Sequence, residues 1–133
     1  LIFENNLSFE QSDFSDQLFK NIYFVFNGNE TRQIKLDQKV LNFKKSLIND
    51  QIENLKSKSL NCKMINIQDL KNMKESLLAL YPSVGENLDY INLNNLKNIS
   101  FLHRKIDQYS WKYCNKGFFN FKNYIPKIIQ EFI

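Results

Sequence analysis

Residues 22–36 read Ile22-Tyr23-Phe24-Val25-Phe26-Asn27-Gly28-Asn29-Glu30-Thr31-Arg32-Gln33-Ile34-Lys35-Leu36. The first five are β-branched or aromatic, the composition of a strand. Asn27-Gly28 offers the positive φ of a tight turn, and Gln33, Ile34, Lys35 and Leu36 alternate polar with apolar. Two strand-like runs around Asn-Gly are the strongest short-range hairpin signal. The stretch predicts an antiparallel β-hairpin over 22–36, and with it an α+β fold.

Outward from the hairpin, the patterning is helical. Asp37 suits a helix cap. Val40, Leu41, Phe43, Leu47, Ile48, Ile52 and Leu55 then recur at helical spacing, predicting a helix over 38–57. After the short apolar stretch Met64–Ile67, the residues Leu70, Met73, Leu77 and Leu80 predict a second helix over 68–81, stopped by Pro82 and Gly85. Leu96, Ile99, Leu102, Ile106, Tyr109 and Tyr113 predict a third over 95–114, ended by Gly117. Beyond the aromatic run 118–121, Pro126 fits the first turn of a last helix starting near Asn123. Residues 1–20 read as a loosely structured lead-in with a short helix at 13–20, and 21–133 as a single α+β domain. It is predominantly helical, with about four helices by these periodicities. The order of elements resembles winged-helix arrangements, a likeness of fold that sets no function.

One internal similarity stands out. Ile65-Asn66-Ile67-Gln68-Asp69-Leu70-Lys71-Asn72 and Ile91-Asn92-Leu93-Asn94-Asn95-Leu96-Lys97-Asn98 share five identities in eight, 26 residues apart. Asn66 with Asp69, and Asn92 with Asn95, have the spacing of an N-cap and its third residue, so the pair reads as two similar helix starts. Two copies fall short of a solenoid.

Composition narrows the function classes. Asn, Lys, Ile, Phe and Tyr supply 67 of 133 residues, against one Ala and two Arg. That bias is the mark of A/T-rich codons, and it supplies a cause for the pI near 9 other than an anionic partner. Sixteen Lys to two Arg also disfavours bidentate recognition of phosphate or guanine, which is the work of Arg. The longest apolar runs, Ile22–Phe26 and Leu77–Tyr81, fall far short of the roughly 18 residues of a membrane span. Cys62 and Cys114 lie far apart with a single His in the chain, so neither a zinc site nor any other metal or cofactor is expected. A reduced, intracellular protein is the expectation. Leu1 opens without a signal pattern and Phe132-Ile133 closes on an apolar end, which reads as part of something longer.

His103, with Asp107 one helical turn on, is the one general-base candidate. It has no nucleophile or Gly-rich loop beside it, so the expectation is not an enzyme. The richest cluster surrounds it. At helical spacing Arg104, Gln108, Trp111 and Asn115 share a face turned from the apolar stripe, with Lys112 and Lys116 adjacent. The sole Trp beside cations either packs as core or anchors a partner. The expected partner-binding surface is therefore Arg104, Gln108, Trp111, Lys112 and Lys116. The functional expectation is a non-enzymatic interaction domain, a subunit fragment of a larger assembly that binds another protein and handles nucleic acid. The alternatives are a winged-helix-like DNA- or RNA-binding module, and a small hydrolase or nuclease using His103.

Overall fold

The stretch that opens the argument forms a strand but not half of a hairpin. In the computed structural model, which describes residues 1–7, 19–56 and 60–132, Ile22–Phe26 (β2) lies between two parallel partners. These are Ile2–Phe3 (β1) and Cys62–Asn66 (β3), with Phe24 opposite Ile2 on one side and Met64 on the other. The reason is burial. Phe24 and Val25, successive residues that alternate to opposite faces, are both fully buried. An apolar run buried on both faces belongs to a parallel sheet, whereas a hairpin wants one wet face. Gly28 does not take the positive φ that an Asn-Gly hairpin turn needs, and Ile34 is 80% exposed instead of packing as a return strand.

Residues 1–102 and 103–133 make two compact units. In the first, β2 leads through a loop into α1 (Gln38–Lys56). Of the predicted apolar stripe, Leu41, Ile48, Ile52 and Leu55 are buried, while Val40, Phe43 and Leu47 face out. The buried four pack with Ile2, Ile22, Phe24, Phe26 and Cys62 on one face of the strands.

The predicted helix over 68–81 is two elements. Ile67–Asn72 is a short 3-10 helix whose start is held by Asn66 N donating to Asp69 Oδ2 at 2.9 Å. Leu77–Leu80 is a strand, β4. Leu and Ala are good helix formers, but Leu77, Ala79 and Leu80 are all buried, and tertiary burial overrides propensity. The predicted helix over 95–114 is likewise divided, into β5 (Ile99–Leu102), parallel to β4, and a short helix beginning at Lys105. Between β4 and β5 runs α2 (Glu86–Leu93). Asn92 and Asn95 end that helix rather than start one: Asn95 takes a φ of 51° and its N–H bonds Asn92 O. The two similar octapeptides thus play opposite parts.

β1 also lies beside β4, where the Leu1 nitrogen donates to the Leu78 carbonyl. The two small parallel sheets therefore abut, with the strands in the spatial order β3-β2-β1-β4-β5. Phe3, Val25, Ile67, Leu70, Leu77, Ala79, Tyr90, Ile91 and Ile99 fill the face opposite α1. The fold is α+β with parallel strands, without an antiparallel hairpin among the described residues and without a winged-helix arrangement.

The second unit is helical: α3 (Lys105–Trp111), α4 (Phe118–Phe121) and α5 (Ile125–Phe132), joined by 3-10 turns. Pro126 sits in the first turn of α5 as its missing N–H requires. No helix among the described residues is long and apolar enough to cross a membrane. The short helix predicted at 13–20 lies almost wholly outside the described residues.

Candidate functional site

Parallel strands deliver their following loops to one edge, and here three of those loops meet in a polar cluster, with Glu4 and Arg32 buried and Glu86 at its exposed rim. Glu4 follows β1, Arg32 lies beyond β2, and Glu86 opens α2 after β4. The Arg32 and Glu4 side chains are only 8% and 7% exposed, and Arg32 Nη2 lies 3.0 Å from Glu4 Oε1. Arg32 Nη1 also pairs with Glu86, and Lys44 of α1 pairs with Glu4. Two acids and two bases thus pair, and their mutual attraction offsets the desolvation cost of burying Glu4 and Arg32.

Asn27 knits the cluster to the strands. It is fully buried and every polar group on it is used. Its Nδ2 donates to Asn87 Oδ1 at 3.0 Å and its Oδ1 accepts from Thr31 Oγ1 at 2.6 Å. Its backbone N–H donates to Glu4 Oε2, and its carbonyl accepts from Arg32 Nε and Nη2. Asn29 shapes the rest of the loop, bonding both the N–H and the carbonyl of Leu36. Asn5 and Asn6 donate to the carbonyls of Pro82 and Tyr81, closing the β1 and β4 ends together.

Beside this cluster lies a groove of about 450 Å³, between the loop residues Thr31, Gln33 and Ile34 and the α2 residues Glu86, Asp89, Tyr90, Asn92 and Leu93. Two of its residues are acidic and none is basic, a local charge opposite to the chain's net +4. The Tyr90 hydroxyl is buried and has no hydrogen-bond partner among the described residues, which costs roughly 1–3 kcal/mol unless something satisfies it. Among the described residues no group of three or more His, Cys, Asp or Glu is placed to hold a metal ion.

None of these residues was singled out by sequence reasoning. A signal existed: Asn27 and Gly85-Glu86-Asn87 each come just past an apolar run, where a buried parallel strand would deliver its loop.

The residues singled out from the sequence lie in the second unit. Trp111 closes α3, is 45% exposed, and meets the His103 ring edge-to-face at 5.2 Å. Gln108, Lys112 and Lys116 are exposed and Arg104 is half-buried. Lys112 is drawn elsewhere, its Nζ lying 3.7 Å from the Tyr109 ring centroid and 5.1 Å from that of Tyr113. Those tyrosines belong to a small aromatic cluster in which Tyr113 stacks on Tyr124 at 4.3 Å and Tyr109 meets Phe132. A hydrogen bond between the two phenols raises the pKa of Tyr109 and lowers that of Tyr113. Phe118 and Phe119 stand 66% and 78% exposed.

No protein-family model, curated protein or solved structure matches this chain.

Proposed function

We propose that the first unit is a binding domain for a small polar ligand, held at the carboxyl ends of its parallel strands. The observation that carries this reading is the groove between the loop after β2 and α2, backed by the Glu4–Arg32–Glu86 cluster. Its size falls within the roughly 300–1,000 Å³ of small-molecule sites. The strand order adds a fold-level argument. The connections run one way from β1 through β2 to β3 and the other way from β4 to β5, so they diverge between β1 and β4. Open sheets of parallel strands bind ligands outside the carboxyl ends at such a divergence.

The test is an amide chemical-shift titration of the isotopically labelled protein against separate panels of nucleosides, sugars, amines and small acids. Saturable shifts confined to Asn27–Ile34 and Glu86–Leu93 are expected from at least one class. Shifts confined to residues after 102, or none that saturate, would overturn the reading.

A second reading is favoured by the exposed aromatics of the other unit, Trp111, Phe118 and Phe119. In it, that unit docks on another subunit of a larger assembly, through the surface of Arg104, Gln108, Trp111, Lys112 and Lys116. Interface anchors are enriched in Trp, Tyr and Arg. A nucleic-acid partner at this surface would reveal itself by a steep fall of affinity with salt, and a protein partner by loss of binding on Trp111→Ala without a change in the melt.

A further inference from the structure

The chemistry of the groove points to the class of ligand, an inference that rests on the small-ligand reading above: we infer that it takes a neutral, hydroxyl-rich ring carrying vicinal hydroxyls, as in a sugar or the ribose of a nucleoside. Charge excludes the obvious alternative first. The chain is basic, yet the groove walls carry Glu86 and Asp89 and no Lys or Arg, and the neighbouring Arg32 is already held by Glu4 and Glu86, so among the described residues the groove offers a phosphate or carboxylate no free cation.

What remains is the choice between a cation and a neutral donor. Glu86 is already balanced by Arg32, and Glu4 by Arg32 and Lys44. Asp89 is exposed and makes no ion pair among the described residues. A single uncompensated carboxylate is weak attraction for a polyamine. It is well suited to accept from two adjacent hydroxyls, since an ionised carboxylate offers two oxygens and only accepts.

Around it stand the amides of Gln33 and Asn92, which both give and accept, and the hydroxyl of Thr31, which donates to Asn27 Oδ1 and is left to accept. Alcohols, which also do both, match this set, whereas ammonium groups leave its donors unused. Ile34 and Leu93, 80% and 85% exposed, provide apolar flanks against which the C–H face of a ring can lie. Asn92 and Asp89 are three residues apart on α2, so they project to one side of the helix.

The experiment is a chemical-shift titration of the full chain with uridine, D-glucose, dideoxyuridine lacking both ribose hydroxyls, and spermidine. Uridine or glucose is expected to move the amides of Gln33, Asp89 and Asn92 and to saturate. Response to uridine alone identifies a nucleoside as the source of the diol, response to glucose alone a free carbohydrate, and either supports the proposal. Dideoxyuridine is expected to bind about tenfold or more weaker than uridine, the loss that follows when a charge-assisted hydrogen bond goes unmade. Asp89→Asn, on an exposed position, is expected to weaken the responding ligand about tenfold without moving the thermal melt. Saturation by spermidine alone overturns the proposal in favour of a cation site, and equal response to uridine and its dideoxy form overturns the diol. Saturable shifts elsewhere within Asn27–Ile34 and Glu86–Leu93, with Gln33, Asp89 and Asn92 still, would overturn this inference while leaving the small-ligand reading intact. No saturable shift in the first unit removes both.

Discussion

Arg32 is one of two arginines in a chain with sixteen lysines, and it holds the place where Lys would fail. Its planar fork reaches Glu4, Glu86 and the Asn27 carbonyl at once, and a point ammonium cannot satisfy three directions in that plane. Arg32→Ala leaves Glu4 buried with Lys44 as its one remaining ion pair among the described residues, and a loss of about 3–5 kcal/mol in a urea melt is expected. Most of that is the stranded Glu4, because Glu86 is half exposed and its pair is screened. Arg32→Met combined with Glu4→Gln should therefore recover part of the loss, and failure to do so would place the cost in the loop instead. The cysteines make a second contrast. Burial pushes the Cys62 thiol up, against the pull of the Lys56 charge, while Cys114 is exposed. A thiol reagent is expected to label Cys114 in the native protein and Cys62 only after unfolding. Since the native Cys62 thiol keeps its proton to higher pH than the unfolded one, its contribution is whole below the ordinary thiol pKa and is lost as pH rises through the raised one. Cys62→Ala should flatten that alkaline fall in stability.

Among the elements, α2 is the one whose entry is most constrained. Gly85 stands at its N-cap with a φ of 133°, preceded by Ser83 at 63°. A Cβ at Gly85 would meet nothing within 4 Å, so the backbone conformation alone forbids a side chain there. Gly85→Ala is expected to cost about 1–3 kcal/mol in the thermal melt from that strain. It should also weaken any ligand of the groove, because Glu86 and Asp89 follow directly. A melt unchanged by Gly85→Ala would mean that the turn relaxes freely. The strands teach a related lesson about reading elements. Residues 70, 73, 77 and 80 satisfy helical spacing, and three of the four are buried, yet Leu70 lies on a 3-10 helix, Met73 just past its end, and Leu77 and Leu80 on a strand. Short apolar runs fit either period, and what separates them is the neighbour that covers them.

At the scale of the molecule, the shortest strand carries the most. β1 is two residues long, yet it lies between β2 and β4 and contributes Ile2 to one face and Phe3 to the other, both essentially without exposure. Phe3→Ala is expected to cost about 3–5 kcal/mol, whereas Trp111→Ala, at a half-exposed position, should cost under about 1 kcal/mol. Paired melts decide both, and a collapse on losing Trp111 would return it to the core of its unit. Sequence alone determined that 38–56 is an amphipathic helix, the end of β2 at Asn27, the entry at Asn66–Asp69, and the helix containing Pro126, because each rests on local periodicity or capping chemistry. It could not determine that Ile22–Phe26 pairs parallel on both edges, that 77–80 and 99–102 are strands, or that Glu4, Arg32 and Glu86 meet. Those partners lie from 22 residues apart, as Ile2 and Phe24 do, to 54, as Arg32 and Glu86 do, and a local pattern holds no information about which distant segment will cover it. Only the tertiary structure, by burying both faces of β2 and bringing three strand ends to one edge, decided the fold and assembled the site.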